Sequence, residues 1–287
     1  MTISSRHHYI PRFLIKNFTN ERNLLWVYNK KEKRILKTQQ SPKAIFFEKN
    51  RNLFDVNGEL VDNIEKMYGE IDNLLARTLE NIITTHNMTG RELTLMIYLV
   101  SLMKWRIPKV DAEARELTKN LLIEDLGIAV RPMDSNVEAD PKALDSIQKM
   151  DITNETKRLL LSVQPLLNSA RLDEIHTNCF INSYDEFPAL LGDCPIIEKA
   201  GTDFKTLGDF IFPLSSTDTL ICKRGAEKGI SDKMFYIQKD LNIFHLSENY
   251  VACKSREQLE KIVFLYNQLE EKGHLEFLER GVFESIA

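Results

Sequence analysis

Thr89-Gly90-Arg91-Glu92-Leu93-Thr94-Leu95-Met96-Ile97-Tyr98-Leu99-Val100-Ser101-Leu102-Met103-Lys104-Trp105-Arg106-Ile107-Pro108 is the stretch on which the fold turns. Thr89 followed three residues later by Glu92 has the form of a capping box, in which hydroxyl and carboxylate each accept a backbone N–H at a helix start. Apolar side chains then surround the axis instead of lining one stripe, which predicts a helix buried on all sides. The helix should stop before Pro108, because the proline ring disfavours helical geometry in the residue ahead of it. Leu93 to Met103 is too short to cross a bilayer and is closed by Lys104 and Arg106, so no membrane insertion is expected.

A helix buried all round needs covering layers, and the chain supplies them on both sides. Upstream, Asp62 with Glu65 reads as a second capping box, followed by Ile64, Met67, Tyr68, Ile71, Leu74, Leu75, Leu79, Ile82 and Ile83 on one helical face. Downstream, helices are expected at about 109–127, 140–150 and 154–173, the last kinked at Pro165. Before this block, Asn23 to Tyr28 and Arg34 to Thr38 read as a hairpin around a polar turn. Ile45–Phe47 and Leu53–Val56 read as short strands, with Asn57-Gly58 as a turn. After it, strand patterns recur at Ile175–Ile181, Ala189–Leu191, Ile196–Glu198, Phe210–Pro213 and Thr219–Lys223. Two or three helices close the chain, the clearest capped by Ser255 with Gln258. Strands, helices, strands, helices is an α+β order. Residues 1–287 are expected to form one domain, with sub-lobes at 1–60 (basic, strand-rich), 61–173 (helical) and 174–287 (α+β).

Composition narrows the function classes. With 43% hydrophobic and 28% charged residues the chain is neither disordered nor fibrous. The opening residues meet Arg6, His7 and His8 before any apolar run develops, so no secretory signal is read and a cytoplasmic location is expected. Cys179, Cys194, Cys222 and Cys253 are far apart and form no Cys-x-x-Cys pair, which argues for buried free thiols. Charge is polarised: residues 1–51 carry twelve Lys or Arg against three Glu, a balance of +9, so a net charge of −4 leaves −13 on the remainder. Such a segment attracts nucleic acid or another polyanion, with Arg6, Arg12 and Lys16 as candidate anion-binding residues, or it docks onto its own acidic remainder or a protein partner.

His7-His8-Tyr9-Ile10-Pro11 with Phe13-Leu14 and Asn17-Phe18, Arg106-Ile107-Pro108, Asp193-Cys194-Pro195 and Phe212-Pro213-Leu214-Ser215 together resemble a widespread, mostly microbial family, the domain of unknown function 4238. The resemblance covers nearly the whole chain in order. It departs from the pattern at Asp193-Cys194-Pro195, where Asp-Asn-Pro is the more usual form. It implies the extent of the domain and its landmark residues, and no reaction.

Imidazole suits proton transfer near neutral pH and metal ligation, which makes His7 and His8 candidates for catalysis. Neighbours on an extended chain point to opposite faces, so only one of the two should face a given cleft. One reading is hydrolysis of nucleic-acid or nucleotide phosphodiesters: His7 or His8 as base, Arg106 on the phosphoryl oxygens, Asp193 orienting the histidine or holding a metal. A divalent cation enters as cofactor only with that chemistry. The alternative is a non-catalytic binding protein whose opening segment is pinned to the core by Tyr9, Ile10, Phe13, Leu14 and Phe18 while its basic residues meet an anionic or protein partner. No Walker A, dinucleotide or Gly-x-Ser-x-Gly pattern is present, and Glu198-Lys199 lacks the spacing that would put both side chains on one strand face.

Overall fold

The computed structural model of the chain describes residues 5–56, 58–126, 140–167, 169–202, 206–227, 229–230 and 232–287. Strand β1 (Arg6–His8) leads into the short helix α1 (Arg12–Lys16), followed by β2 (Trp26–Asn29), β3 (Arg34–Ile35), β4 (Phe47–Lys49), β5 (Phe54–Val56) and β6 (Glu59–Val61). The helical block comprises α2 (Asn63–Thr85), α3 (Gly90–Arg106), α4 (Asp111–Lys119), α5 (Pro141–Gln148), α6 (Asp151–Leu161), α7 (Gln164–Leu167) and α8 (Ser169–Asn178). Then come β7 (Cys179–Ser183), β8 (Leu191–Gly192), β9 (Ile197–Glu198), β10 (Phe210–Pro213), β11 (Asp218–Cys222), α9 (Met234–Leu246), β12 (Tyr250–Cys253), α10 (Arg256–Glu271) and α11 (Leu278–Glu284). The class is α+β, as the order of sequence patterns implied.

The capping box at Thr89 forms: its hydroxyl accepts from Glu92 N at 3.3 Å and Glu92 returns a carboxylate to Thr89 N at 2.8 Å. Every residue from Leu99 to Arg106 is buried. The box expected at Asp62 does not form. Its carboxylate turns to Lys66 at 2.6 Å, and Glu65 is drawn away by the Asn52 side chain at 2.8 Å. Along α2 the residues Ile64, Tyr68, Leu75, Leu79 and Ile82 are buried, whereas Met67 and Leu74 are exposed because they fall at the edge of the 3.6-residue stripe.

Two other expectations shift. The helix predicted over 154–173 begins at Asp151 and breaks into three pieces around Pro165, which sits in the first turn of α7, where a missing N–H is tolerated. The strand predicted over Ile175–Ile181 is helix as far as Asn178, with Ile175 buried and His176 bonded to Thr94 of α3 at 2.9 Å; strand begins only at Cys179. The helix predicted over 109–127 ends at Lys119, with a single 3-10 turn at Glu124–Leu126 beyond it; residue 127 and the predicted turn residue Asn57 lie outside the described residues.

All strand pairs are antiparallel. One sheet runs β7-β11-β10-β9 and a second β3-β2-β12-β8, with β1-β4 and β5-β6 as separate ribbons. In the first sheet Phe210, Phe212, Leu220 and Cys222 face one core with α3, while Ile211, Ile221, Phe180 and Ile197 face another with α9, α10 and α11. Burial on both faces explains why β10 and β11 read as continuous apolar runs without alternation. Among the described residues no helix is long and apolar enough to cross a membrane.

Candidate functional site

The opening segment alternates as an extended chain must. β1 pairs with β4 through Arg6↔Lys49, His7↔Glu48 and His8↔Phe47, which sends His7 inward and His8 outward. His7 is fully buried, and the Asn52 backbone N–H donates to its Nδ1 at 2.7 Å. An accepting Nδ1 leaves the proton of the neutral ring on Nε2. Asn52 in turn donates to Glu65, so His7 ties β1 to the start of α2.

His8 is half-buried. Its Nε2–H donates to the Pro42 carbonyl at 3.2 Å and its ring lies 5.6 Å from that of Phe47. Burial, and then the charge of Arg12 with smaller contributions from Arg106 and Arg6, lowers its pKa to about 4, so the imidazole is neutral at physiological pH. Arg6 lies 5.0 Å over Phe47 and donates to the Lys43 carbonyl at 3.4 Å. Arg12 and Lys16, four apart on α1, are both exposed and form no ion pair among the described residues.

The two remote landmarks are engaged by partners outside the opening segment. Arg106 is buried, pairs with Asp72 at 2.8 Å and lies 4.3 Å over the Tyr68 ring. Among the described residues its Nε is the buried side-chain polar atom left without a hydrogen bond. Asp193, also buried, accepts from the backbone N–H groups of Glu248, Asn249 and Tyr250 at 2.9, 2.7 and 3.1 Å, and so holds the chain as it enters β12. After burial, the Arg106 charge adds to the lowering of the His8 pKa and the Asp193 charge to the raising of that of Tyr9.

A set of residues that the sequence did not single out lines a cleft of about 520 Å³ beside this strand. Arg51 closes a two-pronged ion pair on Asp111, with Nη2–Oδ1 2.5 Å and Nη1–Oδ2 2.8 Å, and also meets Glu48 at 2.5 Å. Arg158 reaches the same Asp111 at 2.7 Å and caps the C-terminus of α3 through Nε to the Trp105 carbonyl and Nη2 to Ile107 O at 3.3 Å. Arg51 adds a bond to Arg106 O at 3.3 Å. Burial alone would raise the Asp111 carboxyl, but the hydrogen bonds and charge of Arg51, with Arg158 beside it, hold it below the ordinary carboxylate value. The legible signal was the spacing Asp151, Asn154, Glu155, Arg158, one polar stripe on α6. Among the described residues no group of three or more His, Cys, Asp or Glu is placed to hold a metal ion.

An α+β protein with a basic opening strand and a separate charged cleft is thus defined. The chain belongs to the DUF4238 family, a family of proteins of unknown function, whose model matches residues 6–237. No curated protein and no solved structure matches it.

Proposed function

We propose that this protein binds a polyanion, a nucleic-acid backbone, through the basic face of its opening segment. The observation that carries the reading is the setting of His8. A half-buried imidazole held neutral sits within the field of Arg12 and Arg6, and the exposed Arg12–Lys16 pair adds like charge four residues apart on one helix. Such pairs disfavour an isolated helix by a few tenths of a kcal/mol, roughly 0.2–0.5. Arg12 and Lys16, which form no ion pair among the described residues, suit the spaced charges of phosphates. A hydrolytic centre on the same residues would need a carboxylate free to orient an imidazole, whereas both Asp193 oxygens serve backbone amides. Four buried free thiols suit a reducing compartment, and we place the protein in the cytoplasm.

Fluorescence anisotropy with labelled single-stranded RNA and duplex DNA across a salt series tests this. Arg12→Gln/Lys16→Gln should weaken binding and reduce the slope of log Kd against log salt by about two, one per lost phosphate contact. Equal affinity and slope in wild type and double variant would overturn the proposal. Probe cleavage that disappears in His8→Ala would assign hydrolysis instead.

A further inference from the structure

The cleft beside β1 has a charge arrangement that its own ion pairs do not exhaust. Residues of helices α4 and α6 line it together. Arg158 meets Asp111 at one end, and Lys157 Nζ reaches Thr118 O, at 3.2 Å, toward the other. Arg115, midway along α4, shares the lining of the cleft with Asp151, Asn154 and Glu155 of α6, the last three one helical turn or less apart.

Arg51, Arg158 and Asp111 saturate one another, but the groups around Arg115 do not. Arg115 is exposed and reaches no carboxylate within 4.0 Å among the described residues. Among the described residues Glu155, with a side chain 18% exposed, has only long contacts, the Tyr68 hydroxyl at 3.4 Å and Arg158 at 3.6 Å. Asp151 is exposed at the start of α6 without an ion pair. A cation on one wall and two carboxylates on the other, separated by open volume, mark places for an anionic and a cationic group of one molecule. Leu53 and Phe54, half-buried, give the same cleft an apolar edge.

We propose that this cleft binds a small zwitterion of the amino-acid class. Its carboxylate lies on Arg115, its ammonium lies between Asp151 and Glu155, and its carbon skeleton lies toward Leu53 and Phe54. Guanidinium matches carboxylate geometry in two parallel hydrogen bonds, and ammonium suits paired carboxylates. The volume falls in the range of small-molecule sites, about 300–1,000 Å³. Free α-amino acids, ω-amino acids and dipeptides share this chemistry and differ in the separation of their charges.

Calorimetric titration and thermal unfolding of the full chain with leucine, 5-aminopentanoate, leucyl-leucine, N-acetylleucine, leucinamide and adenosine monophosphate decide the matter. At least one of the three zwitterions should release heat and raise the unfolding temperature, and which of them does so fixes the charge separation. Blocking either end, or the variants Arg115→Gln and Glu155→Gln, should weaken binding about tenfold or more, the loss of one charge-assisted hydrogen bond. No binding by any zwitterion, equal binding of N-acetylleucine and leucine, binding of the nucleotide alone, or affinity unchanged in Arg115→Gln would each overturn the proposal. Arg115 is exposed, so its variant keeps the fold, and it decides the outcome alone if Glu155→Gln does not fold.

Discussion

Arg51 and Asp111, sixty positions apart, meet through both guanidinium nitrogens and both carboxylate oxygens, and Arg158 closes on the same carboxylate from a third element. Removing Asp111 takes the shared carboxylate from two largely buried guanidiniums, side chains 11% and 7% exposed, and leaves Arg51 to Glu48 and Arg158 to the longer contact with Glu155. Asp111→Ala should therefore lower the unfolding free energy by about 2–3 kcal/mol, less than for a fully buried pair because Asp111 keeps some solvent contact. Urea denaturation checks it. The pH sign follows: a folded-state pKa below 3.8 means the stabilisation is complete above the ordinary carboxylate range and is lost as pH falls below it. In Asp111→Ala that part of the acid transition should vanish.

His8 predicts a separate window. Its pKa falls from 6.5 to about 4 on folding, so the unfolded chain binds the proton more readily and stability drops as pH falls from 6.5 toward 4. His8→Gln keeps a donor for the Pro42 carbonyl and should flatten the dependence of the urea midpoint on pH in that window. Saturating polyanion should raise the His8 pKa, read from its ring proton shifts; a pKa that stays at its free value would argue against phosphate binding beside it.

Asp193→Ala leaves three backbone amides at the entry to β12 without this acceptor, a loss of roughly 3 kcal/mol. Asp193→Asn, which retains one carbonyl oxygen, should recover part of it. Hydrogen exchange at Glu248, Asn249 and Tyr250 should accelerate in the alanine variant, and protection equal to wild type would show that the three bonds do not hold this turn.

The two expected helix caps should differ in effect. Thr89→Ala removes a formed capping box and should destabilise by about 1 kcal/mol, while Asp62→Ala, whose side chain caps nothing, should change stability by less than about 0.5 kcal/mol. Thermal unfolding of both variants gives the comparison.

All four thiols are buried, and burial pushes Cys194 up to about 11 and Cys253 up to about 12. Native protein should react with an aromatic disulfide reagent only at the rate of unfolding, and denaturant should release four thiols at once. Rapid labelling in the native state would contradict this burial.

What the sequence reveals depends on how local the cause is. Helix α3 and its cap were readable because Thr89, Glu92 and the apolar run lie within one short stretch. The box at Asp62 failed for a non-local reason: Asn52 competes for Glu65. Strand β12 escaped notice, since Tyr250–Cys253 is too short to show a period, and its place between β2 and β8 comes from pairing across the chain. His7 and His8 were rightly expected to face opposite ways, but the partners that fix each ring, Asn52 and Pro42, are dozens of positions distant. Of the charged cleft only the stripe Asp151, Asn154, Glu155, Arg158 is local enough to read; packing of 48–54, α4 and α6 brings the other residues to it.

That long-range pairing also orders events during synthesis. Lys30 ends up donating to the Phe244 and Ser247 carbonyls at the C-terminus of α9, 214 and 217 positions later, and β2 takes β12 as its neighbour. At ribosomal speeds of 5–20 residues per second the N-terminal hairpin waits roughly 10–40 s for its strand partner and for the carbonyls its lysine caps. Throughout that interval the edge of β2 that β12 later covers is unpaired on the nascent chain, so this sheet closes only when residues 244–253 have left the ribosome.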